Sequence, residues 1–138
     1  MPVSFSGGCA CGAIRYECSA APLISGNCHC RQCQQTTGGA YLPCAIVPTA
    51  AFALTAGAVK YHTMKADNGY VKRYGFCETC GSVVTATTER DTDIIVLAAG
   101  SFDDPSWFQP THDMYTGEAH PWDHMDPALE KFEADPPE

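Results

Sequence analysis

Apolar residues along this chain come in short bursts of β-branched and aromatic side chains, broken every few positions by Gly, Pro, Asn or Asp. That rhythm belongs to antiparallel strands joined by turns, and helical periodicity is largely absent. The pattern predicts strands over 13–17, 41–47, 52–54, 59–64, 70–76, 82–87 and 94–98. Within several of them apolar and polar positions alternate, as in Val71-Lys72-Arg73-Tyr74, which suits sheets with one face in water. Two short helical turns are expected. One covers 31–37 and stops at Gly38-Gly39; the other covers 127–132, with Asp126 as its cap. Residues 133–138 are acidic and carry proline without an apolar face, so they are expected to fray. No linker or repeat divides the rest, which reads as one mainly β domain over 1–132.

Composition narrows the class. A chain of 138 residues, 45% hydrophobic and 17% charged, can bury a globular core of its own. It contains no run of about 18 apolar residues, the length a membrane span needs. The opening residues, Met1 to Gly8, show neither a secretory signal nor an Arg-rich transit peptide, so a cytoplasmic location is expected. With a net charge of −8, eight Lys and Arg in all and no basic run, the chain is a poor partner for nucleic acid.

The chemistry lies in the cysteines. Seven of nine fall into three clusters: Cys9-Ala-Cys11, Cys28-His29-Cys30-Arg31-Gln32-Cys33 and Cys77-Glu78-Thr79-Cys80. In a reducing compartment, such short spacings point to metal ligation rather than disulfides. Residues i and i+2 of an extended segment share a face, so Cys9 and Cys11 can present two sulfurs together. Cys77 and Cys80 have the two-residue gap common at zinc, and Gly81 permits the turn behind them. Two pairs make one closed four-sulfur site, clipping the start of the domain to its middle. The central cluster offers three sulfurs and leaves a tetrahedral ion one open position. Thiolates select zinc, whereas iron–sulfur clusters usually need four cysteines each. Three thiolates also blunt the ion's Lewis acidity, so the open position suits a guest thiol better than water. A coordinated thiol beside a carbonyl carbon points to thiol–aldehyde addition or its reverse, and no nucleotide-binding motif competes.

The remaining polar residues carry less signal. Cys18 and Cys44 lie outside any ligand spacing and read as buried inert thiols. His29, between two ligands, points away from the metal if its segment is extended, leaving it a supporting position and a weak candidacy for proton transfer. His112, His120 and His124 lie near Tyr115 and Trp122 and could supply a base. Arg15, Arg31, Lys72 and Arg73 are the cations that could meet an anionic thiol.

Taken in order, Gly8-Cys9-Ala10-Cys11-Gly12, Cys28-His29-Cys30-Arg31-Gln32-Cys33 and Gly75-Phe76-Cys77-Glu78-Thr79-Cys80-Gly81-Ser82 resemble the glutathione-dependent formaldehyde-activating family, GFA, also called centromere protein V-like. The resemblance runs from about Phe5 to Trp122 and includes Gly38-Gly39 and Pro121-Trp122. It implies a β-tent of short antiparallel sheets around a structural zinc on Cys9, Cys11, Cys77 and Cys80, with a second, open zinc on Cys28, Cys30 and Cys33. It also implies carbon–sulfur lyase chemistry, with glutathione and formaldehyde as partners and S-(hydroxymethyl)glutathione as the adduct. Gln34-Gln35 stand where relatives often carry an arginine. Two other readings compete: a non-catalytic zinc module that docks a protein partner, and a sulfoxide reductase of similar fold. The first has no use for an incompletely ligated second zinc, and the second needs a late cysteine where none follows Cys80.

Overall fold

The computed structural model describes residues 2–136, and they are mainly β. A small antiparallel sheet takes β1 (Phe5–Gly8), β2 (Arg15–Cys18) and β5 (Phe52–Ala56), in the order β1-β2-β5. The larger sheet holds β3 (Ile24–Cys28), β4 (Leu42–Pro48), β6 (Lys60–Lys65), β7 (Val71–Phe76), β8 (Val83–Thr88), β9 (Asp91–Ala98), β10 (His112–Met114) and β11 (Glu130–Lys131). Their spatial order is β11-β10-β3-β4-β9-β8-β7-β6. A single helix, α1 (Arg31–Thr37), follows β3 with the bounds read from the sequence, and Gly38 at φ 76° ends it. All seven expected strands form, with their ends shifted by a few residues. Among the described residues, no helix is long and apolar enough to cross a membrane.

The two-residue period of the central strands creates two cores. In β4, Ala45 and Val47 face one way and Leu42 and Cys44 the other; in β9, Ile95 and Leu97 oppose Val96 and Ala98. One face meets Ile14, Tyr16, Cys18 and Phe102 and forms the core shared with the small sheet. The other gathers Cys28, Cys30, Cys33, Tyr74 and Met114. Each fully buried aliphatic side chain in these layers contributes about 1.5–3 kcal/mol. Both faces of β4 and the end of β9 are covered, and the expected wet face is kept on outer strands such as β6, where residues 60–63 are exposed.

The chain departs from its sequence pattern in four places. First, β10 runs parallel to β3, and β11 parallel to β10, rather than antiparallel. Gly26 admits β10: a Cβ there would sit 2.8 Å from the His112 carbonyl oxygen. Second, 127–132 is not helical. Asp126 does receive the Ala128 N–H at 2.8 Å, but Glu130 and Phe132 then donate to the Thr111 and Asp113 carbonyls at 3.2 and 2.9 Å. Ladder bonds beside β10 outcompete a helix with so little apolar face. Third, Cys9 and Cys11 lie on the turn after β1, closed by Gly12 N–H to Cys9 O at 3.1 Å, not on an extended segment. Fourth, the expected frayed tail is held through Pro136: Tyr115 and Thr116 donate backbone N–H groups to the Ala134 and Phe132 carbonyls. The rest of that stretch, 137–138, lies outside the described residues.

A buried charge cluster fastens β10 and the loop beyond it to β3. His29 is 0% exposed, and its Nε2 lies 2.8 Å from Asp113 Oδ1 while Nδ1 hydrogen-bonds Asp123 Oδ2. Asn27 Nδ2 and Lys131 Nζ also reach Asp113, at 3.2 and 2.8 Å. Burial pushes the Asp113 carboxyl up, yet the Lys131, His29 and Asn27 contacts outweigh it and hold the group below its ordinary 3.8. A depressed carboxyl contributes stability above its unfolded value and loses it as pH falls through the folded one, so this cluster supports the fold at neutral pH. His29→Ala, which leaves two carboxylates buried beside an empty volume, is expected to cost about 3–5 kcal/mol. Thermal denaturation of the metal-loaded protein measures this, and a change in melting temperature within experimental scatter would refute it.

Candidate metal centre

Turns at two distant points of the chain carry the first set of sulfurs. Cys9 and Cys11 sit between β1 and β2; Cys77 and Cys80 sit between β7 and β8, where Gly81 N–H closes onto Cys77 O at 2.8 Å and Gly81 adopts φ 77°. Cys9 Sγ lies 3.6 Å from Cys11 Sγ, Cys11 Sγ lies 3.7 Å from Cys77 Sγ, and all four sulfurs fall within 4.8 Å of one another. Zinc–sulfur bonds of about 2.3 Å in a tetrahedron require sulfurs about 3.8 Å apart. The four residues therefore fit the ion in number, type and spacing. Amide and hydroxyl contacts complete the surroundings: Ile14 N–H points at Cys9 Sγ from 3.2 Å, and Ser82 Oγ lies 3.2 Å from Cys80 Sγ. The Ser82 hydroxyl and backbone N–H pull the Cys80 thiol down to about 5, so it readily ionises for a cation.

The second set spans the end of β3 and the start of α1. Cys30 caps the helix, its Sγ accepting the Cys33 N–H at 3.3 Å, and this fixes the turn that brings both sulfurs beside Cys28. These sulfurs also lie within 4.8 Å of one another, and the residues are 9%, 7% and 0% exposed. Such crowding splits their acidities. Hydrogen bonds with Cys28 and Cys33 drive the Cys30 thiol far down, while those with Cys30 and Cys33 drive Cys28 well above 9.0. Three buried sulfurs so placed compete for protons, and a soft divalent cation resolves that competition. They too fit zinc, and as three ligands rather than four.

Cys28 and Cys33 open on a cavity of about 260 Å³, walled by Leu42, Cys44, Ile46, Val96 and Met114. Two polar side chains from β7 reach Cys33 from the sheet, and one of them, Lys72, lines the cavity. Tyr74, 1% exposed, places its hydroxyl 3.1 Å from Cys33 Sγ. Burial and then the nearby sulfurs hold that phenol far above its ordinary value, so it stays protonated and donates to the sulfur. Lys72 Nζ lies 3.8 Å from Cys33 Sγ and 4.9 Å from the centre of the Tyr74 ring. Burial alone would lower its pKa, but the sulfurs of Cys33, Cys28 and Cys30 outweigh burial and keep the ammonium charged.

Of the four candidate cations, Lys72 is the one the fold brings to the three-sulfur group. Arg15 is clamped bidentate by Asp103, Arg73 faces Glu89 at 3.8 Å, and Arg31 donates to Gln34 Oε1 at 3.1 Å. His29 points away from the sulfurs into its two carboxylates. His120 bonds Gln34 Oε1 at 2.9 Å and stacks on Trp122; His112 stacks on Phe132 and His124 lines a separate depression with Tyr41. Gln34, 3% exposed, donates to the His29 and Glu118 carbonyls and so braces the loop behind the three-cysteine group. Cys18 and Cys44 are buried thiols, and burial pushes Cys44 up to about 12. Sequence reasoning missed Tyr74, whose strand position gave only a packing role, and missed Asp113 and Asp123, which lie about 85–95 residues beyond their histidine.

Known proteins share this arrangement in outline. The crystal structure of a Rhodobacter sphaeroides protein is similar with a TM-score of 0.58 and 17% sequence identity, covering 71% of this chain and 87% of that one. At that identity the likeness concerns the fold. A profile of the family described as glutathione-dependent formaldehyde-activating enzyme matches residues 4–118, a span that takes in all seven clustered cysteines, the cavity-lining Lys72 and Tyr74 beside Cys33. With both sulfur groups assembled inside the matched span, the chain belongs to that GFA family.

Proposed function

We propose that this protein is a zinc-dependent carbon–sulfur lyase that makes or breaks a thiol–aldehyde adduct such as S-(hydroxymethyl)glutathione. One observation carries the reading: two of the three clustered sulfurs, Cys28 and Cys33, open on a largely apolar cavity that the half-buried Lys72 ammonium also lines. A binding module would need neither the cavity nor the lysine. The proposal assigns Cys9, Cys11, Cys77 and Cys80 to a structural zinc and Cys28, Cys30 and Cys33 to a second one. Zinc on three thiolates supplies an acceptor for a substrate thiol and lowers that thiol's pKa.

This chain's residues supply the rest. The aliphatic walls exclude water, which strengthens every charge interaction inside. In the addition direction the thiol gives its S–H proton to water, its sulfur lone pair forms the C–S bond, the carbonyl π pair moves to oxygen, and that oxygen takes a proton in return, so none is gained or lost overall. Lys72 Nζ stands where it can donate to the oxygen as its charge grows, and Tyr74, by binding Cys33, keeps that sulfur from competing with the guest. Cleavage runs the same path backwards. His29, with both nitrogens engaged, positions the Cys28–Cys30 segment rather than moving a proton. Seven cysteines held as zinc thiolates and two more left unoxidised suit a reducing compartment such as the cytoplasm.

Metal analysis separates the two assignments. The native protein is expected to carry two zinc per chain and Cys30→Ala one, with its circular dichroism intact. Cys77→Ala should lose much of the β signal, and equal loss in both variants would count against a division between structural and open sites. With cobalt in place of zinc, glutathione should perturb the visible spectrum of the native protein and leave that of Cys30→Ala unchanged. For turnover, Lys72→Met should lower kcat/KM for adduct cleavage about 100-fold, the loss typical of one transition-state donor, at unchanged metal content. Unaltered kinetics in that variant would remove Lys72 from the mechanism.

A further inference from the structure

The strand registers lay one row of side chains straight across the large sheet, and that row runs into the three-cysteine group. Ile24 pairs with Ile46, Ile46 with Val96, Val96 with Ala86, and Ala86 with Tyr74. Tyr74 ends the row with its hydroxyl 3.1 Å from Cys33 Sγ. Residues two apart on a strand share a face, so Cys28, four positions after Ile24, and Ile94, two before Val96, belong to the same surface. At the rise of a strand that surface reaches about 13 Å along β3, from Cys28 to Ile24.

The two faces of these strands are packed differently. On the far side Ala45, Val47 and Leu97 are 0% exposed, whereas on the cysteine side Ile24, Ile46, Ile94 and Val96 are only half-buried. Branched aliphatic side chains are ordinarily among the most deeply buried, and adjoining ones left uncovered mark a place where something apolar binds. Here all four line the cavity of about 260 Å³ that Cys28, Cys33 and Lys72 also line. Its polar lining residues Asn68, Thr88 and Asp91 stand where strands end and turn. Hydrocarbon therefore floors the cavity beside the sulfurs, and polar groups gather at the strand ends.

The central carbon of a thiol–aldehyde adduct carries the thiol sulfur, a hydroxyl, a hydrogen and the aldehyde's own substituent. The cavity offers a separate surface to three of these: clustered sulfurs for sulfur, the Lys72 ammonium for oxygen, and the aliphatic row for the substituent. In a formaldehyde adduct the substituent is a second hydrogen, which leaves the row untouched. Formaldehyde is close in size to a water molecule, whose share of liquid volume is about 30 Å³, so it would leave most of the cavity unfilled. The polar remainder of a thiol such as glutathione matches the strand-end groups rather than the hydrocarbon floor.

We propose that the carbonyl partner at this site is an aldehyde bearing a medium-length aliphatic chain, and that Ile24, Ile46, Ile94 and Val96 select it over formaldehyde. The reaction rests on the lyase reading of the site; the apolar pocket rests on the row alone. In cleavage the C–S pair returns to sulfur, the hydroxyl gives up its proton as the carbonyl re-forms, and sulfur takes one proton from water, so no oxidant or reductant is consumed. The released aldehyde differs from formaldehyde only in the chain that the row holds.

The test uses the full zinc-loaded chain and the glutathione adducts of formaldehyde, propanal, butanal and pentanal, with kcat/KM for cleavage divided by the uncatalysed rate of the same adduct. From propanal to pentanal this ratio should rise about fourfold for each added methylene, the gain from burying one, and formaldehyde should stand lowest. Val96→Phe, which fills the cavity, should remove the rise, and the isosteric Val96→Thr should reduce it, both at native zinc content. Binding without turnover is read from the methyl resonances of Ile24, Ile46 and Ile94, which 1-pentanol should move and methanol at the same concentration should not. Rates that stay flat or fall with chain length would overturn the proposal, as would a rise that both Val96 variants leave intact. If 1-pentanol binds the row and no adduct is cleaved, the apolar pocket stands and the lyase reading falls. If the formaldehyde adduct is cleaved best and 1-pentanol moves no methyl group, the chain-length selection falls and the lyase reading stands.

Discussion

Sulfur atoms brought within a few ångströms of one another and withdrawn from water cannot all lose their protons unless a cation shares the charge. The fold commits itself to that condition twice. At Cys9, Cys11, Cys77 and Cys80 the four sulfurs surround one point, tying the turn after β1 to the turn after β7 across the core shared by the two sheets. At Cys28, Cys30 and Cys33 three sulfurs come together without a fourth cysteine, and two of these residues, Cys28 and Cys33, line a cavity. Much of the rest serves to hold these two turns and one helix start in register: the core strands β4 and β9, the helix cap on Cys30, and the His29 cluster behind the loop.

Charge at the three-sulfur group is balanced from the sheet side rather than from solvent. Three thiolates exceed a divalent ion by one negative charge, and a buried negative charge without a partner is costly. Lys72 lies against Cys33 with its ammonium over the Tyr74 ring, and the Tyr74 hydroxyl bonds the same sulfur. Both come from β7, the strand that leads directly into Cys77 of the other group. One strand therefore connects the closed group to the electrostatics of the open one. A distortion at Cys77 would be felt at Lys72 through five residues of strand, and the doubly bonded ladder of β7 to β6 and β8 makes that path stiff.

What the sequence revealed and what it concealed divide along a physical line. The seven ligands were legible because ligation imposes short spacings on a single residue type, and α1 because its glycine stop and its cysteine cap are local. The seven long strands were legible from β-branched periodicity. By contrast β3 reads Ile-Ser-Gly-Asn-Cys, with little strand propensity, and forms because β4 and β10 flank it and Gly26 allows the latter close. The 127–132 segment carried a capping aspartate that does bond its turn, yet the carbonyls of Thr111 and Asp113 offered ladder partners that no local reading could weigh. His29 read as a supporting residue, but its two carboxylate partners are set by tertiary packing alone.

The tail shows the same limit in its sharpest form. An acidic, proline-bearing segment without an apolar face has no hydrophobic reason to order, and composition correctly says so. Order comes instead from complementarity: the segment offers two carbonyls to the Tyr115 and Thr116 amides beside β10, and the Asp135 carboxylate to Arg90 and Asn68. Such contacts supply geometry without much burial, so the ordering they produce is specific and weak together, and a reading of composition, which weighs burial alone, has no means of finding it.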